Sequence, residues 1–217
     1  MIENIDTLVI SPHPDDDVIG VGGTIVNMVR EGREIGIVYL TSGEQGNREI
    51  EPNDLGPIRE EEAKSAAEVL GVSEGNLVFA RYPNNHDFDN IHPIAKYLAA
   101  IFLVTRPESI FVPHLNDPHP DHKIANLSAI AGIEDLSRGD SYFRDSVSVF
   151  GYEVWQDIKN IGVLEIIDSS LSEKIEAIRR HKSQLIKTPY DQLILDQALA
   201  RGSMIGSLAA EAFSKIY

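Results

Sequence analysis

Short apolar runs alternate with helix-period segments along most of this chain, and that alternation limits the folds open to it. Residues 5–10, 35–40, 77–80 and 108–112 are brief runs rich in β-branched residues, and they predict strands buried on both faces. Between them, 18–30, 58–70 and 91–104 space their apolar residues as helices do; Val18, Val21, Ile25, Met28 and Val29 mark the first. Gly32 and Gly71 close two of these segments. A further helix is predicted over 122–132, strands over 147–155 and 163–167, and a helix over 171–186, followed by a mostly helical tail. The order predicts an α/β fold: a mostly parallel sheet with helices on both faces, formed as a single domain over residues 1–217.

Charge and composition narrow the function. Across 217 residues, 34 Asp plus Glu outweigh 19 Lys plus Arg, a net charge of −15. That balance argues against nucleic acid or an anionic membrane surface as the partner. The longest apolar run, 97–104, falls far short of the roughly 18 to 20 residues that span a bilayer. No basic stretch precedes Pro12, so a secretory leader is not expected, and the chain reads as cytoplasmic. Cysteine is absent. Any metal must therefore be held by histidine and carboxylate.

In parallel sheets of this kind, ligands bind beyond the carboxyl ends of the strands. The polar clusters fall there: 13–17 after the first strand, 41–47 after the second and 114–122 after the fourth. The first cluster reads Ser11-Pro12-His13-Pro14-Asp15-Asp16-Asp17, and the second Pro113-His114-Leu115-Asn116-Asp117-Pro118-His119-Pro120-Asp121-His122. A catalytic zinc takes about three protein ligands and keeps one position open. Prolines beside the ligands restrict the backbone that metal binding must hold still. Three successive carboxylates repel one another, which a divalent cation relieves, although one of the three also suits the start of the next helix. A lone loop histidine is ordinarily a surface residue; two His-Pro-Asp clusters at matching strand ends point to a metal site.

His13-Pro14-Asp15-Asp16-Asp17 together with His119-Pro120-Asp121-His122 resembles the paired signatures of the LmbE-like (PIG-L) family of zinc-dependent N-acetylglucosaminyl deacetylases. Thr41-Ser42-Gly43-Glu44, Ile58-Arg59 with Glu62-Ala63, Glu153-Val154-Trp155 and Lys182-Ser183-Gln184 resemble further family patterns in the family's order. The resemblance implies a Rossmann-like fold, a small amino-sugar substrate and a homo-oligomer, trimer or hexamer. It implies Zn2+ held by His13, Asp16 and His122, with Asp15 as the general base that activates the attacking water. His119 is implied as the group that stabilises the oxyanion and protonates the leaving amine, with Asp121 orienting it and Arg59 holding substrate. The chain departs from the family at Asp17, where glutamate is usual.

The chemistry of those roles is consistent. Zinc brings the pKa of water to about 7, a nearby carboxylate removes a proton, and a histidinium stabilises a nascent oxyanion. Glu44 and Asn47 are candidates for sugar hydroxyls, and Trp155 for stacking on a sugar ring. His86 and His92, flanking Asp87-Phe88-Asp89, are candidates to line the pocket. His114 is expected in the core at a strand end, and His181 on a solvated helix face with Arg179, Arg180 and Lys182. Three other functions compete. Gly20-Val21-Gly22-Gly23 suggests nucleotide binding, but Ile25 stands where a third glycine belongs, and small residues packing the helix against the sheet explain the run better. A silent metal-binding protein on this fold is a second alternative, and an amidase for a larger sugar-thiol conjugate a third.

Overall fold

In the computed structural model, which describes residues 4–83, 91–186 and 188–217, one seven-stranded sheet carries the chain. The strands are β1 (Thr7–Ser11), β2 (Ile35–Tyr39), β3 (Leu77–Phe79), β4 (Ser109–Pro113), β5 (Ser148–Tyr152), β6 (Val163–Ile166) and β7 (Ala210–Lys215), in the order β3-β2-β1-β4-β5-β7-β6. The first five pair in parallel; β7 runs antiparallel between β5 and β6. Every residue of β1, β2 and β4 is buried, as their unbroken apolar runs require.

Helices α1 (Asp16–Arg30), α2 (Pro52–Leu70) and α6 (Leu171–Ile178) pack on one face, building a core around Val18, Ile25, Ile37, Ala66 and Ile178. Helices α3 (Ile91–Thr105) and α4 (Pro120–Ser137) cover the other, around Leu98, Phe102, Ile110 and Ala129. The remaining helices are α5 (Ser141–Asp145), α7 (Lys182–Leu185) and α8 (Tyr190–Ser203). Among the described residues, no helix is long and apolar enough to cross a membrane.

Three expectations change. The helix predicted over 58–70 begins at Pro52, which shortens the preceding loop; Pro57 is accommodated inside its first turns. The segment 171–186 breaks after Ile178 into α6 and α7, and its middle carries His181 into the interior, 0% exposed, not onto a solvated face. The tail, read as mostly helical, ends in strand β7, whose residues 210–213 are buried between two antiparallel neighbours; its sequence pattern alone does not show that pairing.

The glycines of α1 serve packing. A Cβ on Gly20 would stand 2.1 Å from the Tyr152 ring, and one on Gly23 would stand 2.7 Å from Ile167. The helix can lie against β5 and the chain beyond β6 only because those side chains are missing.

Candidate active site

The sheet reverses direction of winding between β1 and β4, the topological switch point where such folds leave a crevice. The two polar clusters leave these two neighbouring strands, so the fold brings 13–17 and 114–122 face to face. Asp15 precedes α1 with φ of +144°, a strained conformation for a residue with a Cβ. The twist sends adjacent carboxylates in different directions. Asp16 turns toward the histidines, and Asp15 toward Arg59.

Asp16 is the hub. Its Oδ2 lies 3.0 Å from His13 Nδ1 and 3.2 Å from His122 Nε2, and it also accepts the His13 backbone N–H at 2.9 Å. Each histidine is backed on its far side by another carboxylate. His13 Nε2 is 3.0 Å from Asp121 Oδ2, and His122 Nδ1 is 3.0 Å from Asp117 Oδ1. Carboxylates behind ligating imidazoles fix ring orientation and tautomer at metal sites. His122 is wholly buried, and neither ring nitrogen has hydrogen-bond geometry to a partner, as suits a nitrogen aimed at a cation shared with Asp16. Burial pushes His122 down, but Asp16 and Asp117 outweigh it and hold it up at about 10, so this point favours positive charge. Nitrogen and carboxylate donors packed this closely match the preferences of zinc. His13, His119 and His122 also gather their ring nitrogens within 4.8 Å of one another.

Asp15 Oδ1 is 3.0 Å from an Arg59 Nη2 that also donates to Pro14 O at 2.7 Å, and Arg59 Nη1 donates to Gly43 O at 3.0 Å. Gly43 has φ of +61°, and a Cβ there would meet the guanidinium at 2.3 Å, so the loop after β2 can close over Arg59 only with glycine. Burial raises the Asp15 carboxyl to about 6 against the opposing pull of Arg59. His119 begins α4 as its cap, its Nδ1 accepting the Asp121 N–H at 3.2 Å. Burial, then His13 and His122, pushes it down to about 4, against the pull of Asp121 and Asp16, which favours the neutral imidazole. Asp121 serves two histidines: its carboxylate lies 3.0 Å from His13 Nε2, while its backbone N–H donates to His119 Nδ1 and its charge pulls His119 upward.

A cavity of about 380 Å³ opens onto His13, Asp15, Asp16, Arg59 and His119, with Trp155 on its wall. The β2 loop reaches it through Gln45, Gly46 and Arg48 instead of Glu44, which is half-buried beside Gly56. Asn47 is engaged elsewhere, donating to Ser183 O and accepting the Glu49 N–H. Asp17 points away and accepts from Ser11 and Tyr39 at 3.2 and 3.1 Å, so the shorter side chain still finds direct partners. His114 is buried as expected, its Nε2 2.6 Å from Gln156 O. His86 and the 87–89 segment lie outside the described residues; His92 sits in the first turn of α3. Sequence reasoning gave no role to Asp117 or Gln184, although both stand in segments it singled out, and it missed Tyr190. Asp117 was the most findable, since it stands within the second cluster.

The sequence pattern of the GlcNAc-PI de-N-acetylase (PIG-L) family matches residues 8–132, more than half of the chain and both clusters. The chain belongs to the PIG-L family. This PIG-L protein is 30% identical to the diacetylchitobiose deacetylase of Thermococcus kodakarensis, over 94% of this chain and 80% of that one. The structure of the N,N'-diacetylchitobiose deacetylase from Pyrococcus horikoshii superposes with a TM-score of 0.79 at 25% identity, covering 97% of this chain and 83% of that one. The 4-carboxy-2-hydroxymuconate hydratase of Pseudomonas putida superposes equally well, with a TM-score of 0.79 at 25% identity over 98% and 97% of the two chains.

Proposed function

We propose that residues 1–217 form one catalytic domain, a cytoplasmic zinc-dependent deacetylase that hydrolyses the N-acetyl amide of an N-acetylglucosaminyl-type substrate. The observation that carries this reading is the convergence of His13 Nδ1, Asp16 Oδ2 and His122 Nε2 beside a cavity that also holds Asp15. Those three side chains would hold the metal. The chemistry a bound zinc supplies is water of lowered pKa and a polarised amide carbonyl.

The chain's own residues do the rest. Asp15, steadied by Arg59, accepts a proton from the attacking water as its oxygen bonds to the amide carbon. His119 accepts at Nδ1, so its proton lies on Nε2, from which it donates a hydrogen bond to the developing oxyanion. Asp15 then returns the proton it took to the leaving nitrogen as the C–N bond breaks, releasing a primary amine and acetic acid, which gives up the second water proton to the amine through solvent to leave acetate and an ammonium. Arg59 positions the base and the loop, and the sugar meets the cavity wall, where Trp155 is 45% exposed. The hydratase likeness favours a second reading on the same donor set, addition of water across an activated double bond.

Primary-amine release from N-acetylglucosamine, its disaccharide, and its malate and inositol conjugates tests the reading, with 4-carboxy-2-hydroxymuconate hydration measured beside it. Zinc-dependent release is expected, with Asp15→Asn keeping zinc but losing about 10²- to 10⁴-fold in kcat. His122→Ala should lose the metal. Release by a zinc-free His122→Ala protein, or hydration without release, overturns the assignment.

A further inference from the structure

Arg59 and Glu62 stand one turn apart on one face of α2, and the break between α6 and α7 packs against that helix. Ser183 fastens it there. Its backbone N–H and hydroxyl donate to Glu62 Oε1 and Oε2 at 2.8 and 2.7 Å, and its carbonyl accepts from Asn47 Nδ2 at 3.0 Å. A Cβ built on Gly46 would meet Arg59 Nη1 at 2.5 Å and Gln184 Oε1 at 2.9 Å, so the guanidinium and α7 converge at the loop after β2. His181, two residues before Ser183, is 0% exposed, and Arg59 is 3% exposed. Among the charged groups acting on the imidazole, Arg59 comes first and Asp16 second, which places the ring on the catalytic side of the break.

Three buried nitrogens at this point have no hydrogen-bond partner among the described residues: Arg59 Nε, His181 Nδ1 and His181 Nε2. Arg59 Nη1 donates to Gly43 O, and Nη2 faces Pro14 O and Asp15, so Nε is the guanidinium nitrogen left without an acceptor. Polar groups stripped of water without replacement are costly, and protein interiors meet that cost with ordered water. We infer that one internal water bridges Arg59 Nε–H to the His181 ring, and that His181 is thereby a positioning residue, fixing the guanidinium that steadies Asp15. The water accepts the Nε–H and donates to the ring nitrogen that carries no proton; burial, reinforced by Arg59, favours the neutral ring that has one. Because Ser183 ties the break to Glu62 and Asn47, His181 cannot swing away to other partners. The inference rests on the deacetylase reading for the role of Asp15, and on the geometry alone for the water.

A high-resolution crystal structure of the full-length, zinc-loaded protein without substrate reads the bridge. One water within about 3.2 Å of both Arg59 Nε and a His181 ring nitrogen is expected. Amine release reads its effect. His181→Leu keeps the bulk and loses the hydrogen bonds; it should retain zinc and lower kcat about ten-fold with KM unchanged, the worth of one hydrogen bond. His181→Gln restores polar atoms and should recover most of that loss. On the Arg59→Lys background, which has no Nε, His181→Leu should cost about two-fold or less. A crystal structure without the water, wild-type kcat in His181→Leu, equal losses in His181→Leu and His181→Gln, or a ten-fold loss that persists beside Arg59→Lys overturns the inference. Should the wild type release no amine, the deacetylase reading fails, and the crystal structure still decides the bridge.

Discussion

Asp117 Oδ1 lies 3.0 Å from His122 Nδ1, while its Oδ2 accepts the backbone N–H of Trp155 at 2.8 Å. One buried carboxylate thus joins an imidazole of the proposed metal site to the aromatic residue at the cavity rim. Its Oδ1 also accepts the His119 N–H at 2.9 Å, which fixes the turn into α4. His119 and His122 owe their placement to a residue that is wholly buried and does not line the cavity.

Asp117→Asn should therefore weaken zinc binding by about 10- to 100-fold, the usual effect of removing a carboxylate behind a ligating histidine. Asp121→Asn should do the same through His13. Competition with a chelator measures both. Wild-type affinity in both variants would show that these carboxylates do not orient the rings.

The strain at Asp15 predicts a stability difference opposite to its chemical value. With φ at +144°, Gly fits where Ala does not. Asp15→Gly and Asp15→Ala both take from Arg59 its carboxylate partner and leave its two carbonyl acceptors, so comparing them isolates the backbone. Asp15→Gly should be more stable by roughly 1 to 3 kcal/mol in urea unfolding, and both should be inactive.

His181 predicts a pH effect of definite sign. Burial, reinforced by Arg59, holds it down to about 3, against 6.5 for a free imidazole. The unfolded chain therefore binds a proton that the folded chain refuses. Stability is full above about 6.5 and falls as the solution is acidified toward 3, by up to about 1.4 kcal/mol per pH unit from this group. Asp17, raised to about 7 chiefly by burial, runs the other way, losing stability as pH rises from 3.8. The measurable quantity is thus the difference between wild type and His181→Leu. That difference should tilt against wild type on going from pH 7 to 5 in denaturant melts; a pH-independent difference would place His181 in solvent.

Gly20→Ala should destabilise by about 1 to 3 kcal/mol or more. Its Cβ meets both the Tyr152 ring and, at 2.8 Å, the backbone oxygen of Glu153, and Tyr152 is itself anchored to Ile10 O at 2.9 Å. Thermal unfolding of the variant reads this directly. A neutral change would mean that α1 can lift from β5 without cost.

The sequence by itself determined the architecture and most of the reacting groups. Apolar runs without polar interruption can be buried only between two layers, which dictates a covered parallel sheet, and two His-Pro-Asp clusters at strand ends meet because β1 and β4 pair at the switch point. What the tertiary structure decided is the partner of each group. Asp121 looks in sequence like a neighbour of His119, yet its carboxylate reaches His13 across the crevice, 108 positions away in the chain. Arg59, which the resemblance implies holds substrate, lines the cavity while Asp15 and two backbone carbonyls engage its guanidinium. His181 sits among charged residues in sequence and is buried because the helix breaks beside it. Hydrophobic periodicity is a local property and survives in one dimension. Hydrogen-bond partnership and protonation depend on distances of about 3 Å between distant segments and on the loss of water around them, and those exist only once the chain has closed.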